Sequence, residues 1–228
     1  MLDAVLLDWE GVLADTALAR RDALLSALGE EGLHLDTATY GEVCAGHSVH
    51  ASVQHALTSL GRNDNALAAL VTLRASRAFR DRLQRGMTLT PGARAFVARM
   101  QLASRVGVVT CSSRAEMEIA LRLSELEDAM ATVVSADDVL DEPPSPSAYL
   151  LALDNLSRLR AVQHDRVVAI AASLPALRAA RAAGLRTIAV AAPAHVALEA
   201  DGAVDSVDAL TVRELSRLAG VSATERQR

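Results

Sequence analysis

Short runs of apolar residues alternate along this chain with longer segments in which apolar positions recur at helical spacing. The runs are rich in Leu and β-branched residues, and each ends at a turn or helix-cap signal. Strands that are covered by helices on both faces have this composition, so the alternation predicts an α/β fold with a parallel sheet. The predicted strands are residues 4–7, 106–109, 132–134, 167–170 and 187–190.

Several residues predict where helices begin and end. Thr90 is predicted to cap a helix whose first position is Pro91, since a side-chain oxygen before the first turn accepts a hydrogen bond from a free backbone N–H. Ser173 is predicted to cap a helix in the same way, and Gly184 to end it. Residues 222–228 are predicted to be disordered.

The segment between the first and second predicted strands is too long for an ordinary crossover. Residues 16–85 contain no strand pattern and at least three helical patterns, of which one stops at Gly61 and another near Gly86. An insert at this point lies over the carboxyl ends of the strands, where open α/β sheets bind ligands. We therefore predict an α/β core of residues 1–15 and 86–228 with a small all-helical cap of residues 16–85.

Composition narrows the classes of function. The formal net charge is −5, and all 23 basic residues are Arg, because the chain has no Lys. An acidic balance predicts no nucleic-acid or membrane partner, and the absence of Lys excludes an amine nucleophile. With only two cysteines and no apolar stretch long enough to span a membrane, we expect a cytoplasmic protein.

Candidate chemistry follows the first two strands. Asp8 is predicted to stand at the tip of the first strand, with Glu10 two residues later and Gly11 allowing a tight turn. A carboxylate at this edge is well placed as a nucleophile or metal ligand. Thr110 is predicted at the tip of the second strand, before a turn that contains Ser112, Ser113 and Arg114. Backbone N–H groups, hydroxyls and a guanidinium there could bind an anion.

These motifs together resemble the haloacid dehalogenase superfamily. The resemblance rests on D-x-E-G-V-L-A-D-T, a helical insert, T-P-G and V-V-T-C-S-S, and continues through EPPSPSAYLLAL and SLPALRAARAAGLRTIAV. It covers essentially the whole chain and is closest to the phosphoglycolate phosphatase and β-phosphoglucomutase-like branch with a helical cap. It implies a Rossmann-like core and phosphoryl transfer.

The resemblance also implies roles for individual residues. Asp8 corresponds to the nucleophile, Glu10 to the general acid/base and Thr110 to the hydroxyl that holds the phosphoryl group. Mg²⁺, the cofactor implied if the chain is active, would be held by Asp8 and Glu10. A small phosphorylated or anionic ligand would contact Gly11, Ser112, Ser113 and Arg114, and the cap's specificity loop corresponds to a G-H-S stretch containing His47 and Ser48.

Three positions depart from the family pattern. Glu10 stands where Asp is expected and adds a methylene, and Pro143 aligns with a charge-neutralising Lys. Ala171 and Ala172 align with the acidic pair that helps to hold Mg²⁺. Phosphoryl transfer depends on positioning and charge neutralisation, so these departures predict a weak or inactive pseudo-phosphatase that binds a ligand or a protein partner.

Two other interpretations stay open. The chain could be an active, divergent phosphatase or phosphoglucomutase-like hydrolase that uses Asp8 and takes its positive charge from Arg114. It could also perform metal-free chemistry on Asp8, as the family's dehalogenases do, although those enzymes use a Lys. Separately, Cys44, His47, His50 and His55 recur at near-helical spacing in the cap, which is weak support for a metal site against a polar cap loop.

Overall fold

The computed structural model describes residues 2–220, and the predicted disorder of residues 222–228 lies outside that range. Within it, six parallel strands form one sheet in the order β3-β2-β1-β4-β5-β6. The strands are β1 Ala4–Leu7, β2 Arg105–Val109, β3 Thr132–Val134, β4 Val167–Ala171, β5 Arg186–Val190 and β6 Gly202–Val204. The five predicted strands are confirmed to within one residue, and β6 was missed.

Helices cover both faces of the sheet. In chain order the α-helices are α1 Ala17–Glu30, α2 Thr37–Val43, α3 Val49–Ser59, α4 Asn65–Arg85, α5 Ala93–Gln101, α6 Arg114–Ser124, α7 Ser147–Leu159, α8 Leu174–Ala182, α9 Ala194–Ala197 and α10 Val212–Leu218. One large apolar cluster packs α5 and α6 against the sheet, and a second packs α7 and α8 against the opposite face. No helix within residues 2–220 is long and apolar enough to cross a membrane.

Helices α1 to α4 intervene between β1 and β2 and enclose an apolar cluster of their own. This cluster includes Leu24, Leu28, Val53 and Val71, which are buried between the helices. A smaller cluster joins these helices to α6, where Ala23, Phe79 and Leu83 pack against Ile119. The helical segment and the sheet-bearing part therefore meet through apolar side chains as well as polar ones.

The predicted helix ends have mixed outcomes. Ser173 accepts a hydrogen bond from the backbone N–H of Ala176, and Gly184 follows helix α8 with a φ of +80°, as predicted. The prediction for Thr90 was wrong, because helix α5 begins at Ala93. The Thr90 hydroxyl instead donates to the carbonyl oxygen of Val12 at 2.6 Å, which ties the helix approach to the loop after β1.

Candidate active site

The carboxyl ends of three adjacent strands bring the core candidates together. β1 lies between β2 and β4, so Asp8, Thr110 and Ala171 end neighbouring strands. The backbone N–H of Asp8 donates to the carbonyl of Ile170 at 2.9 Å, and that of Thr110 donates to the carbonyl of Val134 at 3.0 Å. The backbone hydrogen bonds of the sheet therefore continue one residue past β1 and β2. This fixes the points from which the Asp8 and Thr110 side chains extend.

Asp8 lies in a setting that disfavours its negative charge. Asp8 is only 8% exposed to solvent. Burial, followed by the nearby charge of Glu10, raises the pKa of Asp8 to about 7, although backbone hydrogen bonding at Trp9 and the charge of Arg20 oppose the shift. Near neutral pH the Asp8 carboxyl is therefore protonated in some molecules and ionised in the others.

Glu10 is held by the first cap helix. The Arg20 Nε atom on α1 donates to Glu10 Oε2 at 2.8 Å, and the Thr16 hydroxyl donates to the same oxygen at 3.4 Å. The Glu10 side chain thus reaches α1, whose N-cap residue Thr16 lies six residues later in the chain. In this structure the candidate acid/base is one half of an ion pair between core and cap.

Arg20 makes several further contacts with the core. Its Nη2 atom donates to Ser112 Oγ at 2.6 Å, and its terminal nitrogens lie 3.4 Å from Glu116 Oε2. Its guanidinium carbon lies 4.1 Å from the ring centroid of Phe79. Burial alone would lower the pKa of Arg20, but the charges of Glu10 and Glu116 outweigh it and raise that pKa.

Sequence reasoning missed Arg20. Its position one turn into the helix that follows the Asp8 loop was the available signal, because a helix inserted after β1 must start above the strand ends. Arg114 had been expected to supply positive charge instead. The structure places the Arg114 guanidinium on Asp138, with 59% of the side chain exposed, so that cation is engaged away from Asp8.

The hydroxyl-rich turn after β2 is occupied by local hydrogen bonds. Ser113 caps helix α6 by accepting from the Glu116 N–H at 3.3 Å, and the Glu116 carboxylate accepts from the Ser113 N–H at 3.0 Å. The Ser112 N–H donates to Thr110 Oγ1 at 3.2 Å. The Arg114 N–H donates to Asp137 at 2.8 Å. The two N–H groups predicted to bind an anion, those of Ser112 and Ser113, therefore already have acceptors, and so does the Arg114 N–H.

The cap loop predicted to set specificity closes onto the core. Ser48 caps α3 and also donates from its hydroxyl and its N–H to the Glu142 carboxylate. The thiol of Cys111, the residue after Thr110, donates to the Gly46 carbonyl at 3.3 Å. His47 lies beside them, and burial followed by the charge of His55 lowers its pKa. Ser48 thus reaches the strand ends by binding a core carboxylate.

The other cap residues weighed as metal ligands do not converge on one point. The Cys44 thiol donates to the carbonyl of Ser52, and the His55 Nδ1 atom bonds to the carbonyl of Val43 at 2.9 Å. The His47 and His55 rings meet edge to face, with centroids 4.8 Å apart. These side chains serve the packing of α2 and α3, and the polar cap loop describes them better than a metal site.

A small cavity of about 30 Å³ lies beside Asp8. Thr110, Cys111, Pro143 and Tyr149 line it, together with Asp141 and Glu142 and apolar side chains from α7 and α8. Pro143, at the position where the family pattern has Lys, therefore presents an apolar ring to this space.

The end of β4 presents methyl groups to the loop after β1. Ala171 is fully buried, and a Cβ added to Gly11 would lie 2.7 Å from the Ala172 Cβ. Gly11 has a φ of +77°, a backbone conformation that favours glycine. Gly11 was predicted to contact a substrate. The structure gives it a steric role in which its missing side chain lets the β1 loop approach β4.

Comparison with known proteins decides the family. The family model described as haloacid dehalogenase-like hydrolase matches residues 5–190. This chain belongs to that family. Among curated haloacid dehalogenase-like proteins, it is similar to YhcW of Bacillus subtilis, with 26% identity over 191 residues, 83% of this chain and 84% of that one. It is also similar to CbbY of Cereibacter sphaeroides, with 29% identity over 205 residues, 82% of this chain and 84% of that one.

Solved structures of haloacid dehalogenase-like proteins share the fold. The crystal structure of CbbY from Rhodobacter sphaeroides in complex with phosphate aligns with a TM-score of 0.82 at 26% identity and covers 95% of this chain and 100% of that one. The β-phosphoglucomutase from Clostridium difficile aligns with a TM-score of 0.85 at 17% identity and covers 96% of this chain and 98% of that one. The second likeness concerns the fold alone.

Haloacid dehalogenase-like phosphatases generally use Mg²⁺, so the donor set at Asp8 can be compared with what that ion requires. Mg²⁺ demands near-octahedral oxygen coordination, usually with one or two protein carboxylates. Glu10 is already paired with Arg20, and Ala171 and Ala172 supply no side-chain oxygen. Within residues 2–220 no three His, Cys, Asp or Glu side chains are grouped so that they could hold a metal ion. The residues present do not fit a tight Mg²⁺ site.

Proposed function

We propose that this haloacid dehalogenase-like protein has lost efficient Mg²⁺-dependent phosphoryl transfer and acts by binding a ligand or a protein partner. The observation that carries the proposal is the commitment of Arg20, the cation on the Glu10 side of Asp8, to Glu10, Glu116 and Ser112. A guanidinium with these partners has little positive charge left to offer a phosphoryl group.

Electrostatics support the same conclusion. A transferring phosphoryl group carries negative charge on its oxygens, and enzymes stabilise it with cations and oriented N–H groups. Here Asp8, Asp141 and Glu142 line the cavity beside the candidate nucleophile. Repulsion from these carboxylates would oppose the approach of a phosphate ester, and the N–H groups of the β2 turn already have acceptors.

A second candidate is an active, divergent hydrolase that uses Asp8 as the nucleophile. Asp8, Glu10 and Thr110 follow adjacent strands, and the Arg20 charge acts on Asp8 strongly enough to oppose its raised pKa. CbbY, a relative at 26% identity, was crystallised with phosphate and, as a mutant, with xylulose-(1,5)bisphosphate. In this alternative Arg20 would exchange Glu10 for the phosphoryl group when substrate enters.

The deciding experiment is a phosphatase screen with Mg²⁺ across sugar phosphates, sugar bisphosphates and small phosphomonoesters. The Asp8→Asn variant serves as the blank, since it keeps the shape of the side chain and removes the nucleophile. We expect wild type and blank to release phosphate at the same rate. Turnover by wild type that Asp8→Asn abolishes would establish the hydrolase.

Localisation is part of the same proposal. Cys44 and Cys111 are both free thiols in this structure. Thiols persist in reducing compartments, so we propose that the protein works in the cytoplasm. Fractionation of cells followed by detection of the chain in the soluble cytoplasmic fraction would support this, and enrichment outside it would contradict it.

A further inference from the structure

The cavity beside Asp8 has an unusual charge balance for a site in a phosphatase fold. Asp8, Asp141 and Glu142 contribute three carboxyl groups, and the described lining contains neither Arg nor His. Asp141 accepts one hydrogen bond in the protein, from Ser147 at 3.0 Å, and Glu142 accepts two, from the hydroxyl and the N–H of Ser48. Because a carboxylate offers about four lone-pair sites, both retain free acceptor capacity.

A buried hydroxyl without a partner faces the same space. Tyr149 on α7 is 2% exposed, and its hydroxyl forms no hydrogen bond in the protein. The residue lines the cavity together with Asp8 and Cys111, and the charge of Asp8 acts on it. A buried polar group without a partner costs free energy, so such groups in folded proteins are normally matched by a ligand or an ordered water.

We propose that this cavity beside Asp8 binds a small organic cation of the alkylammonium class. The carboxyl groups supply the negative charge, and the oxygen of the Tyr149 hydroxyl can accept a hydrogen bond from an N–H of the ammonium. The inference rests on the proposed loss of phosphoryl transfer, because the same cavity cannot favour both a phosphate and an ammonium.

Size restricts the ligand further. A cavity needs roughly 10–15 Å³ of this kind of volume to hold one water molecule. The cavity of about 30 Å³ therefore accommodates about two non-hydrogen atoms. A methylammonium ion has that size and presents three N–H donors on one end and a methyl group on the other. The apolar side of the lining, including Val109, Val139 and Ala148, suits the methyl group.

Arg20 does not counter this charge balance. Its guanidinium is paired with Glu10 and with Glu116, and it is absent from the described cavity lining. One cation shared between two carboxylates leaves that side of Asp8 with no excess of positive charge. An ammonium in the cavity would give Asp8, Asp141 and Glu142 the counter-charge that Arg20 gives to Glu10.

The proposal is tested by NMR titration of the full chain with ¹³C-labelled methylammonium at constant ionic strength. Inorganic phosphate and tetramethylammonium, which is larger than the cavity of about 30 Å³, are the comparison ligands. Tyr149→Phe removes the hydroxyl and keeps the ring. Tyr40→Phe makes the same change at the other tyrosine, which lies in the cap and outside the cavity lining.

We expect saturable methylammonium binding that Tyr149→Phe weakens about tenfold or more, since a hydrogen bond to a charged group contributes about 1.5 kcal/mol or more. Tyr40→Phe is expected to bind as wild type does. Glu142→Gln, a second variant that keeps side-chain volume, is expected to weaken binding too. Circular dichroism checks that each variant is folded.

Several outcomes would overturn the inference. They are a non-saturable methylammonium shift, equal binding by Tyr149→Phe and wild type, tighter binding of phosphate than of methylammonium, and no binding, which would mean that the cavity holds water only. Phosphatase turnover by the same preparation would overturn the proposed function as well. An inactive protein that also fails to bind methylammonium would overturn this inference alone.

Discussion

The two sides of Asp8 are built on opposite principles. On the cap side, Glu10 is matched by Arg20, and the same guanidinium also reaches Ser112 and Glu116. On the side of α7, Asp141 and Glu142 line a cavity with no arginine in its described lining, and the Tyr149 hydroxyl has no partner. The Arg20 guanidinium therefore joins the cap to the core, and the cavity on the other side of Asp8 stays acidic.

The difference also shows how a cap can be held closed without a substrate. In an enzyme that binds phosphate, the ligand's own charge can draw positive groups on the cap toward the core. Here the ion pair between Arg20 on α1 and Glu10 after β1 performs that task within the protein. Closing the cap in this way removes the guanidinium from chemistry on a ligand.

The largest expected effect comes from removing Arg20, the cation on the cap side of Asp8. Arg20→Ala leaves Glu116, which is 1% exposed, as a buried carboxylate without its cation. Removing one partner of a buried ion pair costs about 3–5 kcal/mol, because the remaining charge stays desolvated. We expect a loss of that size in the free energy of unfolding, measured by urea denaturation.

Arg114→Ala is the matched control for this prediction. Its guanidinium also pairs with a carboxylate, that of Asp138, but the arginine is mostly exposed. Exposed ion pairs contribute about 0–1 kcal/mol, so the control should lose little stability. Equal losses in the two variants would mean that the Arg20 network is no stronger than a surface pair.

The next effect concerns Asp8 and depends on pH. The folded pKa of Asp8 is about 7 and its ordinary value is 3.8, so the folded protein keeps a proton that the unfolded chain has lost. Asp8 therefore destabilises the fold increasingly as pH rises from 3.8 to about 7, and by a constant amount above that. Each unit of pKa difference corresponds to about 1.4 kcal/mol.

Asp8→Asn removes this titration. We expect the urea midpoint of the variant to rise above that of wild type as the pH increases from 3.8 to about 7, and the gap to stay constant at higher pH. Asp154→Asn, at an exposed carboxylate paired with Arg158, controls for the loss of a charge. A gap between Asp8→Asn and wild type that does not change with pH would contradict the raised pKa.

A third, smaller effect would come from giving the site around Asp8 the groups that it lacks. Glu10→Asp, Pro143→Lys and Ala172→Asp together supply shorter acid/base reach, a cation and a metal carboxylate. Because groups that act on one transition state are strongly non-additive, the singles should do little. The triple variant should gain about 100-fold in kcat/KM over each single, the size of effect that placement by about 1 Å can have.

The matched control for the triple variant is the same set with Asp8→Asn added. It should return phosphate release to background if Asp8 is the nucleophile. Colorimetric phosphate release with Mg²⁺ and a panel of phosphomonoesters measures both. A folded triple variant that hydrolyses nothing would show that the cap and cavity have also diverged, which would strengthen the proposed binding role.

The sequence predicted the fold more fully than it predicted the site. Strands β1 to β5 are continuous apolar runs, so both burial and strand type can be inferred from composition. Strand β6 was not predicted, because Gly202–Val204 is a three-residue edge strand whose pairing with β5 does not depend on a long apolar run. Thr90 was misassigned because a hydroxyl can bond to a distant carbonyl as well as to the next helical turn.

At the site, the sequence predicted which residues lie at the strand ends, but it did not predict which charged groups pair with one another. Asp8 and Thr110 follow from strand periodicity, since their positions are set by where apolar runs stop. The partners of Arg20 and Arg114 cannot be inferred in this way, because a long arginine side chain can reach carboxylates on several elements. Arg20 finds Glu116, 96 residues later in the chain, only after the cap folds back over the sheet.

The smallest expected effect tests how firmly the cap is closed on the acidic side. Ser48 donates to Glu142 from its hydroxyl, so Ser48→Ala removes one hydrogen bond between cap and core, together with the cap of α3, and leaves the N–H contact. A hydrogen bond to a charged group contributes about 1.5 kcal/mol, or about a tenfold change in the population of the open cap. Cys111, whose thiol contacts the Gly46 carbonyl in the same cap loop, reports that opening. We expect a thiol-specific reagent to modify Cys111 about tenfold faster in Ser48→Ala than in wild type. Ser59→Ala, which removes a hydroxyl bonded within the cap to Ala56, should leave the rate unchanged, and Cys111→Ser identifies the reacting thiol. Equal rates in Ser48→Ala and wild type would mean that the Arg20 network alone keeps the cap closed.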